Sequence, residues 1–132
     1  MREIIFRGKT IQWNEWVYGD LINYRDNDKR ILEQNLGAWN ILECGHEVIP
    51  ESVGQWTGLK DQNEIKIFEG DICSTADNED NSFSGGEIVF DEDLLAYLIY
   101  ETNSGWRYLD VIKHLEVVGN IFDNKDLLEE GK

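Results

Sequence analysis

Residues 53–72 read VGQWTGLKDQNEIKIFEGDI, and this stretch decides the fold because strand-like segments alternate in it with chain-turning residues. In its segment IKIF (65–68), Ile65 and Ile67 would share one face, and Lys66 and Phe68 the other, which is typical of a β-strand. Glycine tolerates positive φ, so its simplest role here is a turn or bulge that redirects a strand of a small barrel. The residues that we predict to form these structural turns are Gly54, Gly58, Asp61, Asn63, Gly70 and Asp71. A phosphate-binding loop is not indicated, because neither GxxxxGK[ST] nor GxGxxG occurs.

The rest of the chain shows mostly the same period of two. The segments that predict short strands include 3–7, 10–13, 16–22, 94–101 and 106–109. Asn14 and Glu15 separate two of them at the spacing of a hairpin, whereas residues 110–115 fit a helical turn as well as a strand. Asn124 is expected to cap a short C-terminal helix, KDLLEE. The pattern predicts an all-β, mainly antiparallel protein with an N-terminal β-hairpin extension.

The length of 132 residues suits one domain, or one barrel with an appended subdomain. We place the N-terminal extension at residues 1–52 and the barrel at residues 53–132, with one continuous domain as the alternative. Hydrophobic residues make up 41% of the chain, which is enough to build a core without a metal or a disulfide. There is no signal-peptide core and no apolar run long enough to span a bilayer, so we expect a soluble, cytoplasmic protein.

The net charge of −15 comes from 27 acidic and 12 basic residues, and it is unevenly distributed. Six bases lie in the first 30 residues, against five acids: Arg2, Arg7, Lys9, Arg25, Lys29 and Arg30. Binding to nucleic acid needs clustered cations, so this balance disfavours a general nucleic-acid binder, and the acidic remainder repels anionic membranes. The acidic surface either keeps the protein soluble or attracts a basic partner.

Two cysteines and two histidines offer ligand atoms for zinc. Cys44 and His46 are near neighbours, but a gap of one residue is not a usual pairing in a structural zinc site, and Cys73 and His114 are far away in the sequence. Without a CxxC pair, the cysteines are expected to be free thiols, with a disulfide or redox role as the alternative. The sequence therefore predicts no zinc site.

The acidic segments give no site either. One segment suggests a calcium loop through Asp77, Glu79, Asp80 and Asn81. However, Ser82 and Ile88 stand where an EF-hand needs glycine and glutamate. A second segment, Asp91 to Asp93, is expected to form a charged turn. We find no catalytic constellation, so the sequence predicts neither an enzyme nor a cofactor.

The aromatic residues of the N-terminal hairpin are the better functional indication. Trp13, Trp16 and Tyr18 lie within six residues, and strand alternation places Trp16 and Tyr18 on one face. A small hairpin cannot bury both of its faces alone, so these rings pack either against the rest of the chain or against another chain. Trp and Tyr are enriched in the centres of protein interfaces, which makes the three residues a candidate interface.

Three segments, MREIIFRGK…EWVYGDL, VGQWTGLKDQN…IFEGDI and EVVGNIFDN, together resemble the YopX family of small phage and prophage proteins, in order and spacing over nearly the whole chain. Glu64 stands where that family typically has a glycine, which predicts a reshaped loop. The resemblance implies an all-β protein whose C-terminal part is similar to an SH3-type barrel. It also implies residence in the cytoplasm of a phage-infected or lysogenic bacterium, and it brings no catalytic residues.

We therefore expect a non-enzymatic protein that works through protein–protein contact, as a homo-oligomer or as a ligand of a host protein. The alternative is a regulatory protein that contacts nucleic acid through its N-terminal bases or mimics DNA with its surface carboxylates. An enzyme is the third hypothesis, and a pocket with convergent polar groups would support it.

Overall fold

The computed structural model describes residues 4–25, 27–33, 45–75, 85–101, 105–112 and 114–126. These residues form eleven β-strands and two short 3₁₀ turns, at Pro50–Ser52 and Leu109–Val111. The strands are β1 (Phe6–Lys9), β2 (Trp16–Arg25), β3 (Asp28–Glu33), β4 (His46–Val48), β5 (Gly54–Lys60), β6 (Lys66–Phe68), β7 (Asp71–Ser74), β8 (Gly85–Asp91), β9 (Ala96–Glu101), β10 (Gly105–Tyr108) and β11 (Glu116–Asn120). They pair antiparallel in two sheets, which confirms the prediction of an all-β, mainly antiparallel protein.

The chain divides into two compact units, Met1–Trp56 and Thr57–Lys132. One sheet has the strand order β4-β3-β2-β1-β5-β6, and the other has the order β10-β9-β8-β7-β11. Strand β5 begins in the first unit, where Gly54 and Gln55 pair with β1, and it ends in the second. The change of unit therefore falls inside a strand.

The N-terminal hairpin is formed by β1 and β2, and the predicted strand at residues 10–13 is wrong. Thr10 makes a single bridge, and residues 11–13 form a turn. The Thr10 amide donates to the Glu15 carbonyl at 2.8 Å, and the Asn14 amide donates to the Thr10 carbonyl at 2.9 Å. These bonds reverse the chain within six residues, so the backbone there cannot stay extended.

The first unit has a small core on one face of its sheet. Val17, Ile31 and Val48 are buried together, and Phe6, Leu21 and Val53 pack against them. Because side chains alternate along a strand, burial of Val17 turns its neighbours Trp16 and Tyr18 to the opposite face. The hydrophobic core of this unit therefore decides which aromatic rings of β2 lie outside it.

The second unit has a larger core, built from strands β6 to β9 and the segment that follows β10. Its buried members are Ile67, Cys73, Ile88, Ile99, Leu109 and Leu115. Cys73 is buried and does not form a disulfide. The segment at 110–115, which the sequence left open between helix and strand, begins in the 3₁₀ turn Leu109–Val111.

Neither sheet closes on itself among the described strands. A barrel requires the two outermost strands of a sheet to pair, whereas β10 has β9 as its only neighbour in the part of the chain that the structure describes. The expected closure into an SH3-like barrel is therefore not seen. The predicted helix KDLLEE lies mostly outside the described residues, which end at Asp126. In the described ranges, no helix is long and apolar enough to cross a membrane.

Glu64 adopts a left-handed backbone conformation, with φ of 66°. Such a conformation costs an ordinary residue about 1–2 kcal/mol. Glycine avoids this cost, but it lowers stability by about 0.5–1 kcal/mol because it increases the conformational entropy of the unfolded chain. We therefore expect Glu64→Gly to raise the free energy of unfolding by about 0.5–1 kcal/mol in urea titration.

The same replacement removes an exposed ion pair, in which Lys60 Nζ lies 3.9 Å from Glu64 Oε2. Lys60→Ala removes that pair without changing the backbone at residue 64, and it should shift stability by less than about 0.5 kcal/mol. A loss of stability in Glu64→Gly would show that the left-handed conformation is not strained.

Candidate interaction surface

Trp13 is held at the tip of the N-terminal hairpin by the side chain of Thr10. The Thr10 Oγ1 atom accepts hydrogen bonds from the backbone amides of Trp13 at 3.3 Å and Glu15 at 3.1 Å. Asn14 adopts φ of 58°, a conformation that asparagine tolerates better than most residues. The tip is thus a defined turn, and it presents the Trp13 side chain with 55% of its residue surface exposed.

A groove of about 270 Å³ lies beside Trp13, within the first unit. It is lined by Thr10, Ile11, Gln12, Trp13, Arg30, Gly45, His46 and Glu47. The Trp13 and His46 rings meet edge to face, with centroids 6.0 Å apart. His46 Nε2 in turn lies 3.3 Å from Glu33 Oε1, so the position of the imidazole ring is set from two sides.

The groove combines an exposed indole ring with opposite charges. Arg30 and Glu47 are cross-strand partners on β3 and β4, and both line it. The Arg30 guanidinium is oriented by Asp28, with Nε 2.9 Å from Asp28 Oδ1. An aromatic ring next to fixed charges of both signs is suited to binding a protein surface, because Trp and Arg dominate interface energetics.

Trp16 and Tyr18 occupy the outer face of β2, as the alternation predicted, and they differ in burial. Trp16 is half-buried, since the Arg7 guanidinium carbon lies 4.7 Å and Lys9 Nζ 5.7 Å from its ring centroid. Tyr18, opposite Arg7 in the register, is exposed. Trp16 is therefore part of an intramolecular cation–π cluster, whereas Trp13 and Tyr18 are exposed.

Several of the N-terminal bases make contacts within the first unit. Arg7 is only 7% exposed, and it lies over Trp16. Lys29 donates to Asn23 Oδ1 at 2.8 Å, and Arg30 is bonded to Asp28. Arg2 lies outside the described residues.

Asp61 organises the turn between β5 and β6. Its Oδ1 atom accepts from the amides of Asn63 at 2.8 Å and Ile65 at 3.0 Å, and its Oδ2 atom accepts from the Val117 amide at 2.9 Å. Burial raises the pKa of the Asp61 carboxyl, but the hydrogen bonds from the three backbone amides together lower it by more. The pKa therefore lies below the ordinary value of 3.8. The carboxylate thus joins a local turn to strand β11.

Most of the other predicted turn residues lie within or next to strands β5 and β7. Asp71 is 2% exposed, and its Oδ2 atom accepts from the Phe68 amide at 2.7 Å across the tight turn before β7. Gly58 and Gly70 have φ of 93° and 88°, which favour glycine. Gly54 lies in β5 opposite Arg7. In this set, the Asp61 and Asp71 carboxylates accept hydrogen bonds from backbone amides.

A second aromatic face, which the sequence analysis missed, lies on β9 and β10. Tyr100, Trp106 and Tyr108 are all exposed, and Trp106 pairs directly with Tyr100 in the register. The Trp106 and Tyr108 rings meet edge to face with centroids 5.4 Å apart. The available signal was the Trp-x-Tyr spacing of Trp106 and Tyr108, which repeats that of Trp16 and Tyr18.

Several residues considered as metal ligands lie outside the described part of the chain. They are Cys44 and the acidic loop residues Asp77, Glu79, Asp80 and Asn81. Among the residues with described positions, no group of three or more His, Cys, Asp or Glu side chains is arranged to hold a metal ion. The segment after Asp91 is a turn, in which Asp91 Oδ1 accepts from the amides of Asp93 at 2.9 Å and Leu94 at 3.0 Å.

A family model described as YopX protein matches residues 5–129, which is nearly the whole chain. No curated protein sequence matches the chain. Apart from residues 1–4, the match includes all three segments that carried the resemblance in the sequence.

Proposed function

The chain belongs to the YopX protein family, and on this premise we propose that it is a phage- or prophage-encoded module that works by binding proteins, without catalysis, in the bacterial cytoplasm. The observation that supports this proposal is Trp13, which projects from a defined turn with 55% of its surface exposed. An exposed indole on a preorganised backbone binds at low entropic cost. An SH3-like arrangement of the second unit stays a prediction from the resemblance, and the proposal does not depend on it.

The partner that the groove suits best is a second copy of the chain. A two-fold contact sets the same patch of both copies against each other, so a patch with both charge signs complements itself. Arg30 and Glu47 supply the two signs side by side, since they are directly paired in the sheet. The first unit carries six bases and nine acids, a net charge of −3, so repulsion between two such units is small.

The test is the oligomeric state of the full chain, measured by size exclusion with light scattering over a range of concentrations. We expect a concentration-dependent dimer for the wild type. Trp13→Ala should weaken it about 30-fold, because truncation of an interface Trp costs about 2 kcal/mol or more. Trp16 is unsuitable for this test, since its removal breaks the contacts with Arg7 and Lys9 inside the unit.

Trp106→Ala is the matched control, because Trp106 is a similarly exposed indole in the second unit. It should leave the dimer unchanged. A wild-type chain that is a strict monomer at all concentrations would contradict self-assembly, and equal weakening by both variants would contradict the role of the Trp13 groove.

A further inference from the structure

The first unit shows how this chain covers a Trp-x-Tyr pattern on a strand. In β2, Trp16 is opposite Lys9 and Tyr18 is opposite Arg7, so the neighbouring strand presents Arg-x-Lys to Trp-x-Tyr. The two cations lie over the Trp16 ring at 4.7 Å and 5.7 Å from its centroid. This arrangement is a cross-strand cation–π pair, in which alternate side chains of two antiparallel strands meet on one face.

Strand β10 presents the same pattern at the edge of a sheet. Trp106 and Tyr108 alternate along it, all four of its residues are exposed, and Trp106 is 48% exposed. Among the described strands, β9 is the only neighbour of β10. An edge strand with backbone groups on its open side can accept an added extended segment. A segment that is bound at the open edge of β10 would therefore lie beside β10 as β1 lies beside β2.

The charge of the second unit indicates what kind of segment fits. This unit carries 18 acids and six bases, a net charge of −12. On the face of Trp106, Glu87 is opposite Tyr100, and the Tyr100 hydroxyl lies 3.4 Å from Asp91 Oδ2. Burial raises the pKa of the Glu87 carboxyl, and the nearby positive charge of Lys125 opposes this shift only in part. Aromatic rings and carboxylates thus share this face of the sheet.

We propose that β10 binds an extended basic segment of another protein, with Arg or Lys at alternate positions, which adds to the second sheet as a strand. Its cations lie on the rings of Trp106 and Tyr108, as Arg7 and Lys9 lie on Trp16. A second copy of the chain is disfavoured at this edge, because two units of charge −12 repel each other. The inference shares with the proposed function only the premise that the partner is a protein, since the surface is a different one.

The experiment uses the full chain and two synthetic peptides. One peptide alternates Thr with Arg or Lys over about nine residues, and the matched peptide carries Gln in place of every Arg and Lys. We expect calorimetry to detect binding of the basic peptide that weakens as salt is added. Binding should also slow amide hydrogen exchange in residues 105–108, because the added strand covers the edge.

The variants assign the binding to the face of Trp106. Trp106→Ala should weaken the basic peptide about tenfold, whereas Trp106→Phe keeps a ring and should lose less. Trp13→Ala should bind as the wild type does, even if it no longer dimerises. The proposal is overturned if the basic peptide does not bind, if the Gln peptide binds equally well, or if Trp106→Ala binds as the wild type does.

Discussion

Replacing Asp61 by alanine is expected to lower the free energy of unfolding of the second unit by about 3–6 kcal/mol. Asp61 is 5% exposed, and its carboxylate accepts three backbone hydrogen bonds, from Asn63, Ile65 and Val117. All three bonds are partly buried, so each donor that loses its acceptor should cost roughly 1–2 kcal/mol, the lower part of the usual range. Because domains are stable by only about 5–15 kcal/mol, the variant should be largely unfolded in mild urea, as monitored by circular dichroism.

Two further substitutions separate the hydrogen bonds from the charge. Asp61→Asn retains one carbonyl oxygen, but its amide group meets a backbone donor, so we expect an intermediate loss. Asp110 is an exposed acid that, like Asp61, lines a groove of about 330 Å³ in the second unit. Asp110→Ala should change stability by less than about 0.5 kcal/mol. If Asp61→Ala unfolds at the same urea concentration as Asp110→Ala, then the carboxylate does not hold the turn.

The pH dependence gives an independent check of the same contacts. The pKa of Asp61 is lowered in the folded protein, so the carboxylate stabilises the fold above its ordinary pKa of 3.8. This contribution is lost as the pH falls from 3.8 through the lower folded pKa. The difference in stability between the wild type and Asp61→Asn should therefore shrink below pH 3.8, and a constant difference would contradict the charged hydrogen bonds.

The sequence predicted the fold class because local signals carry it. Strand alternation and turn residues are properties of short segments, so the all-β class and the family were both predictable. The turn role of Asp61 was also proposed from its neighbours. Its bond to Val117 was not predictable, because the two residues are 56 positions apart and only the paired strands bring them together.

The errors and omissions have the same origin. TIQW alternates like a strand, but the hydrogen bonds of Thr10 compete with extension and fold residues 11–13 into a turn. The pattern in WRYL predicts a strand without saying which face is covered, so the exposure of Trp106 and Tyr108 was missed. Barrel closure depends on which strands become neighbours, and a period of two contains no information on pairing between distant strands.

Replacing Gly86 by alanine is expected to cost about 4 kcal/mol or more, because the added methyl group has no space. Gly86 lies between Cys73 of β7 and Glu101 of β9 in the sheet. A Cβ atom there would lie 1.7 Å from the Tyr100 carbonyl oxygen and 3.0 Å from Glu101 Cα. Both are backbone atoms of a paired strand, so relief requires the sheet itself to shift. Urea unfolding of the purified variant measures the loss.

Gly105→Ala is the control for this replacement, since it makes the same chemical change where nothing lies within 4 Å of the new Cβ. Its φ of 84° costs alanine about 1 kcal/mol, so it should be much milder than Gly86→Ala. Equal losses in the two variants would show that β8 and β9 do not approach this closely.

Any sheet that accommodates the methyl group of the Gly86→Ala variant must move the backbone of Tyr100, the direct partner of Trp106. A folded Gly86→Ala chain should therefore also bind the basic peptide more weakly.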